Sequence, residues 1–196
     1  IYFFPSPPMD AFLPDTYEPP KSTSGYMKLQ DGKNKFRILS SPILGWEYWT
    51  QKDGKKMPVR LAYTEENYRT AQREAQKNID EKDKKAKHFW AMTVWNYNTN
   101  AIEILELVQA KMQKSIRDTS KEPEWGNPVN RYDFVITKSG RDMSTEYSMT
   151  AIPPSVTAPE ITKAIKEKPI NLNALFSGGN PFEEATVDEA FVADTF

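Results

Sequence analysis

Aromatic and basic side chains are concentrated in one stretch, GWEYWTQKDGKKMPVR, at residues 45–60. Aromatic rings can stack on unpaired bases, and lysine and arginine can neutralise the phosphates of a single strand. A core strand does not ordinarily carry so many cations beside two tryptophans. The stretch therefore predicts a surface that binds a flat, anionic polymer. Its candidate residues are Trp46, Tyr48, Trp49, Lys52, Lys55, Lys56 and Arg60.

The Asp53–Gly54 pair divides this stretch into the two strands of a predicted β-hairpin. Side chains alternate between the two faces of a strand. Trp46 and Tyr48 therefore share one face of the first strand, and Trp49 lies on the other face with the lysines of the turn. Trp49 is the preferred surface ring, but the alternation leaves open which face meets a ligand.

Other rings divide into surface and core candidates. Trp95 and Tyr97 precede an Asn-rich turn, which favours exposure. Trp90 and Phe134 are predicted core residues, because a small β-domain needs large apolar side chains. Trp125, in a loop with proline and glycine, is predicted to anchor that loop on the domain. The remaining nucleic-acid-binding candidates are Arg37, Trp95, Tyr97, Arg131, Lys138 and Arg141.

The sequence argues against an enzyme. It contains no glycine-rich phosphate loop, no nucleophile elbow and no HExxH zinc motif. It has no cysteine and a single histidine, His88, so acid–base, nucleophilic and zinc sites lack their usual residues. The acids in the predicted strands are scattered, which disfavours a two-metal site. We expect a non-catalytic protein without metal or other cofactor, and a nuclease remains the alternative.

Charge is segregated along the chain, although the net charge is only −1. All 26 lysines and arginines lie in residues 21–168, whereas residues 1–20 and 169–196 carry acids alone. Such asymmetry indicates a body that binds a polyanion and a tail that competes with it or recruits partners. The tail residues predicted to bind partners are Glu183, Glu184, Asp188, Glu189, Phe191, Asp194 and Phe196.

Three regions are predicted from composition. Residues 1–25 hold six prolines and form an extended arm, within which Met9 is the predicted biological start. Residues 26–168 form the folded domain. Residues 169–196, with a Gly-Gly pair and dispersed acids, form a flexible acidic tail. No apolar run reaches the length of a membrane span, and the start lacks the features of a signal peptide, so a cytoplasmic protein is expected.

The folded domain is predicted to be mainly β with inserted helices. Alternation predicts a strand at residues 35–39, and turn residues predict hairpins at 45–63, 88–108 and 131–152. A charged helix at residues 64–87 begins at a threonine N-cap, and short amphipathic helices lie on either side of the last hairpin. This order favours a five- to six-stranded antiparallel barrel of the oligonucleotide-binding (OB) type. A β-sandwich is the alternative.

Three blocks carry a family resemblance: YMKLQDGKNKFRILSSPILGWEYW, FWAMTVWNY and WGNPVNRYDFVITKSGRDMSTEYSM. In this order, over residues 26–150, they resemble bacteriophage single-stranded DNA-binding proteins with an OB fold. The resemblance implies a protein that coats and protects single-stranded DNA during phage DNA replication, recombination and repair, in the cytoplasm of the infected bacterium. The charged segment at residues 64–87 is a departure from it.

The C-terminus extends the resemblance. It is similar to the acidic, phenylalanine-ending tails of bacterial and phage single-stranded DNA-binding proteins, which recruit replication and recombination proteins and compete with DNA. Here the acids are dispersed and the chain ends in DTF, whereas bacterial tails often have an Asp-rich run before IPF. The partner pocket is therefore expected to differ.

Two other functions remain open at this level. An RNA-binding or cold-shock-like module would use the same rings, because stacking hardly distinguishes the two sugars. A non-catalytic β-domain could act as an adaptor through its tail alone. The sequence also leaves open whether the chain forms a homo-oligomer.

Overall fold

The computed structural model describes residues 25–125, 129–141 and 144–183. Within these ranges the chain forms seven strands, four α-helices and two short 3₁₀ turns, at Glu81–Asp83 and Val129–Arg131. The strands are β1 (Gly32–Ile38), β2 (Ile43–Lys52), β3 (Lys55–Ala62), β4 (Lys87–Asn96), β5 (Ala101–Leu107), β6 (Asp133–Ser139) and β7 (Glu146–Ala151). The helices are α1 (Glu65–Ala75), α2 (Ala110–Ser120), α3 (Pro159–Glu167) and α4 (Ala174–Ser177).

All strands join one antiparallel sheet, with the order β3-β2-β4-β1-β6-β7 and β5 on the other side of β4. The three predicted hairpins are confirmed as β2–β3, β4–β5 and β6–β7. Asp53 and Gly54 both have positive φ, 51° and 75°, as a two-residue hairpin turn requires. The mainly β class is therefore confirmed. The described strands do not close into a ring.

The two faces of the sheet are covered by different parts of the chain. On the first face Met92 and Val94 pack with Phe134 under α2, which contributes Met112 and Ile116. We call this the α2 face; α1 also lies on it, over β2. On the second, the α3 face, residues of β4 and β5 pack against α3 and the segment that follows it. Alternate residues of β4 therefore enter different cores.

Helix α1 is shorter than predicted. Thr64 is the N-cap, as expected, and its hydroxyl accepts from the Asn67 amide at 3.1 Å. The helix nevertheless ends at Ala75, where residues 64–87 were predicted to be helical. The Asn78 side chain donates to the carbonyls of Trp49, Ala75 and Asp83, so it holds a turn that leads the chain back towards β4.

The flexible tail was predicted to begin at residue 169, but the folded chain continues beyond that residue. Residues 169–183 contain α4 and pack on the α3 face, where Leu172 and Leu175 are buried. Phe182 also contacts this cluster, so the packed chain extends at least to Glu183. Residues 1–24 of the predicted arm, with the start at Met9, and the tail residues Glu184, Asp188, Glu189, Phe191, Asp194 and Phe196 lie outside the described residues.

Candidate nucleic-acid interface

The sheet divides the predicted binding residues into two groups. Trp46, Tyr48, Trp49, Lys52, Lys55, Lys56 and Arg60 lie on the β2–β3 hairpin at one edge. The others lie on or beside β1, β4 and β6, on the far side of β2 in the strand order. The two groups therefore do not form one continuous groove.

Arg37 is not a surface residue, contrary to prediction. It is 1% exposed, and its Nε lies 2.5 Å from Oδ1 of Asp133, its register partner on β6. Its two terminal nitrogens donate to the hydroxyls of Thr157 and Ser155 at 3.0 and 2.6 Å. These bonds satisfy a buried guanidinium, so the charge ties β1 to β6 and to the chain after β7.

Arg60 is likewise withdrawn from the surface. Its Nε lies 3.1 Å from Glu47, the opposite residue on β2, and its Nη2 lies 2.8 Å from Glu106 on β5. Burial raises the pKa of Glu47, and the Arg60 charge opposes that rise. The triad is a structural ion cluster, and Arg60 is not available to a phosphate.

Lys56 is exposed but already paired. It binds the carboxylates of Asp80 and Asp83, the second at 2.8 Å. Lys56 donates hydrogen bonds to these two carboxylates, which raises the pKa of Lys56 to about 12. Its charge is locally balanced, which lowers its value as a phosphate contact.

Trp95 and Tyr97 also differ from expectation. Trp95 is 6% exposed and packs in the cluster of Ile102 and Ile161, so it is a core residue. Tyr97 is partly buried, and its hydroxyl donates to Asp133 at 3.1 Å. Burial, and then the Asp133 charge, raise the pKa of Tyr97. Lys35 lies over the ring of Tyr97 at 4.3 Å, so this face is already occupied by a cation.

Several predicted cations do remain at the surface. Within the described ranges no carboxylate lies at ion-pair distance from Lys52, Lys55, Arg131 or Arg141, all of which are exposed. Lys138 is partly buried and lies 3.2 Å from Asp31. These residues lie at turns and strand ends, scattered around the sheet.

Among the described residues, the densest group of accessible rings lies on the α2 face, beside the start of β4. Trp46 stacks on Tyr63 with centroids 5.4 Å apart and planes at 23°. Its ring centroid is also 4.6 Å from Tyr68 and 5.2 Å from His88. Tyr63 and Tyr68 are 56% and 37% exposed. We call these four residues, together with Trp90, the ring shelf.

Three hydrogen bonds hold the shelf in place. The Trp46 indole donates to the Thr64 carbonyl at 3.2 Å, at the residue that caps α1. His88 Nδ1 lies 2.9 Å from the Gly45 carbonyl, and its Nε2 lies 3.1 Å from the Trp90 indole nitrogen. The indole can only donate, so Nε2 accepts and the imidazole carries its proton on Nδ1. The rings are thus fixed before any ligand arrives.

Only Trp46 of the shelf was a predicted binding residue. Tyr63 lies at the end of the predicted 45–63 hairpin and Tyr68 within the predicted charged helix, and neither was a binding candidate. His88 reaches the shelf because the strand register places it opposite Trp46. Trp90 was predicted to be core; it packs against the core cluster of the α2 face but is only partly buried. The charged character of the helix predicted at residues 64–87 was the available signal, because a mostly charged helix covers little of the sheet and leaves neighbouring rings accessible.

The shelf adjoins a basic hollow. His88, Trp90, Lys114 and Arg117 line the same depression, between β4 and α2. Asp118 lies 2.5 Å from Lys114 and 3.1 Å from Arg117, so one carboxylate faces two cations. Hydrogen bonds from these cations lower the pKa of Asp118. The hollow therefore keeps a net positive charge next to the rings.

Tyr48 and Trp49 lie beyond the shelf. Tyr48 is partly buried, and burial, followed by the Glu74 charge on α1, raises its pKa. Trp49 lies on the opposite face of β2, paired in register with Pro58, and is also partly buried. The structure thus separates Trp46 from Trp49 as the alternation predicted.

No protein-family model matches the chain, and no curated protein is significantly similar to it. Among the described residues, no group of three or more histidine, cysteine, aspartate or glutamate side chains could hold a metal ion. In the same ranges no helix has both the length and the apolar character needed to cross a membrane.

Proposed function

We propose that this protein binds single-stranded DNA on the ring shelf. The observation that carries the proposal is the contact of partly exposed rings, centred on Trp46, with a hollow that contains Lys114 and Arg117. Bases of a single strand would stack on the rings while its phosphates face the cations. Duplex DNA hides the faces of its bases, so the same surface favours unpaired strands.

The energies expected for base stacking and phosphate contacts suit binding that depends little on the DNA sequence. Each stacked base contributes about 1–3 kcal/mol, and every base has a face to stack. Phosphate contacts add an attraction that falls steeply as salt rises. Preformed rings, fixed by Thr64 and His88, lower the cost of ordering the site on binding.

We also propose that the sheet is an OB-type barrel. Strands β5, β4, β1, β6 and β7 are successive neighbours, and α2 contacts both outermost strands. Five strands spaced about 4.8 Å apart would hold those two strands too far apart for one helix if the sheet were flat. The contact with α2 therefore supports strong curvature. Among these five strands, taken in chain order, α2 lies between the third, β5, and the fourth, β6, which is the order expected for a five-stranded, partly open OB barrel with one helix.

In this proposal the protein coats and protects exposed strands during phage DNA replication, recombination and repair, without catalysis. The acidic residues from Glu183 to Asp194, with Phe191 and Phe196, would recruit replication proteins and compete with DNA for the shelf. The charge segregation and the family resemblance of the sequence support these roles.

Titration with oligo-dT of graded length tests the function. We expect quenching of tryptophan fluorescence at low salt and progressively weaker binding as salt rises. Competition with an oligo-U of equal length tests the sugar preference, and a clear preference for RNA would overturn the DNA assignment. Absence of binding at low salt would leave a tail-mediated adaptor as the better description.

A further inference from the structure

A cavity of about 420 Å³ lies beside the ring shelf. It is bounded by the connection between β1 and β2 on one side and by α2 on the other. Met92 and Ile116 belong to its apolar part, and the Trp90 side chain lines it. Its polar lining comes from Ser41, Arg117 and other residues at the ends of these elements. Ile38 and Asn130 also line it.

We propose that this cavity receives one unstacked base of the strand bound on the shelf. The inference rests on the proposed function and deepens it. It assigns to the protein a recessed nucleotide subsite in addition to an open stacking surface.

The position of the cavity fits this role. Trp90 and Arg117 line both the cavity and the basic hollow at His88. A strand that follows the rings from Tyr63 to Trp90 would therefore end beside the cavity. His88 holds the Trp90 indole at 3.1 Å, so the wall shared by the two depressions is fixed.

The residues that line the cavity suit a whole nucleotide better than an apolar ligand or a phosphate alone. Side chains such as Ile38, Met92 and Ile116 suit the apolar faces of a base. The side chain of Asn130 is exposed, and its amide group has no hydrogen-bond partner among the described residues. This group offers both a donor and an acceptor to a base edge. The Arg117 guanidinium suits the adjoining phosphate. A simple apolar ligand would not use these polar groups, and a free phosphate would not use the apolar surface.

The size is also appropriate. Small-molecule sites generally enclose about 300–1,000 Å³ and combine apolar walls with a few polar groups. A cavity at the lower end of this range has room for one base with its sugar, and excludes a stacked run of bases. The subsite would thus favour strands that can unstack locally, which single strands do and duplexes resist.

The test uses the full chain and a dT oligonucleotide in which 4-thiothymidine replaces thymidine. Irradiation should cross-link the base to residues that line the cavity but are not part of the shelf, such as Leu39 or Pro42, as mapped by mass spectrometry. Asn130→Ala should lower oligonucleotide affinity roughly 3- to 10-fold, the loss expected for one or two hydrogen bonds. Asn98→Ala is the matched control, because Asn98 is an exposed amide in the β4–β5 turn, and its affinity should not change.

The outcomes separate the subsite from the function. Cross-links confined to Trp46 and Tyr63, with unchanged affinity in Asn130→Ala, would leave DNA binding intact and overturn the subsite. Failure of the wild-type protein to bind any oligonucleotide would overturn both. Equal melting temperatures of the two variants and the wild type would show that a loss of affinity is not a loss of folding.

Discussion

Trp90 and Trp95 lie on the same strand, five residues apart, but on opposite faces of the sheet, and they differ in burial. Trp95 faces α3, is 6% exposed and packs with Ile102 and Ile161. Trp90 faces α2, is only partly buried, and separates the ring shelf from the cavity. The same side-chain type is core on one face and accessible on the other. The exposure of each tryptophan is set by the helix that packs over its face of the sheet, and both helices come later in the chain.

The largest expected effect comes from removing the cover of the α3 face. Deletion of residues 169–196 removes Leu172 and Leu175, whose burial contributes roughly 1.5–3 kcal/mol each. We therefore expect the free energy of unfolding, measured by denaturant titration, to fall by about 3–6 kcal/mol. Deletion of residues 184–196 is the control; it should leave stability unchanged and tighten DNA binding at low salt. Equal stability of the two truncations would show that α4 is not part of the fold.

The two tryptophans of β4 give the next largest effect. Trp95→Ala should cost about 3–5 kcal/mol of stability, the range for a large buried side chain. Trp90→Ala should cost less, because Trp90 is only partly buried, yet it should weaken oligonucleotide binding more than any loss of folding explains. Urea unfolding and fluorescence anisotropy measure the two properties. A larger stability loss in Trp90→Ala would reverse our assignment of the two faces.

The same contrast can be sharpened on β2. Trp46 lies on the α2 face within the shelf, and Trp49 lies on the other face. Trp46→Ala should weaken binding of oligo-dT by about 1–3 kcal/mol, the range for one lost stacking platform. Trp49→Ala should weaken it less. If Trp49 proves the stronger determinant, DNA binds the opposite face of the hairpin, and the shelf proposal fails.

The smallest effect is electrostatic. Arg117 adjoins the shelf, whereas Lys166 is an exposed cation of α3 on the other face. Each phosphate contact on a single strand contributes about 0.7 to the slope of log affinity against log salt. Arg117→Gln should reduce that slope by about this amount, and Lys166→Gln should not. Similar changes in the two variants would indicate a diffuse attraction without a defined path for the strand.

Local signals in the sequence were sufficient for most of the fold. The Asp53–Gly54 turn and the strand alternation beside it place the first hairpin correctly, because turn type and register are set by a few neighbouring residues. The start of α1 could also be predicted from neighbouring residues, because Thr64 caps it. The end of α1 could not, because it depends on the Asn78 side chain reaching the Trp49 carbonyl on another element.

The candidate site was harder to predict, because distant partners decide exposure. Arg37 and Asp133 are 96 residues apart in the chain, and Arg60 and Glu106 are 46 apart. No local pattern pairs Arg37 with Asp133 or Arg60 with Glu106; only the Glu47 partner of Arg60 follows from the hairpin register. Trp46 was found because rings and cations cluster in its own segment. Tyr63, Tyr68 and His88 join it only through the packing of α1 and the register of β2 with β4.

The packing of Phe182 against the start of the described chain bears on how the order of the chain can be changed by circular permutation. The Phe182 ring meets Tyr26 edge-on at 5.7 Å, and Gly25 leaves room for it because it has no side chain. Residues 25 and 183 are therefore neighbours in space, so a short Gly/Ser linker can join them. New ends opened at the Asp53–Gly54 turn would then give a circular permutant in which every strand pairing described here is kept.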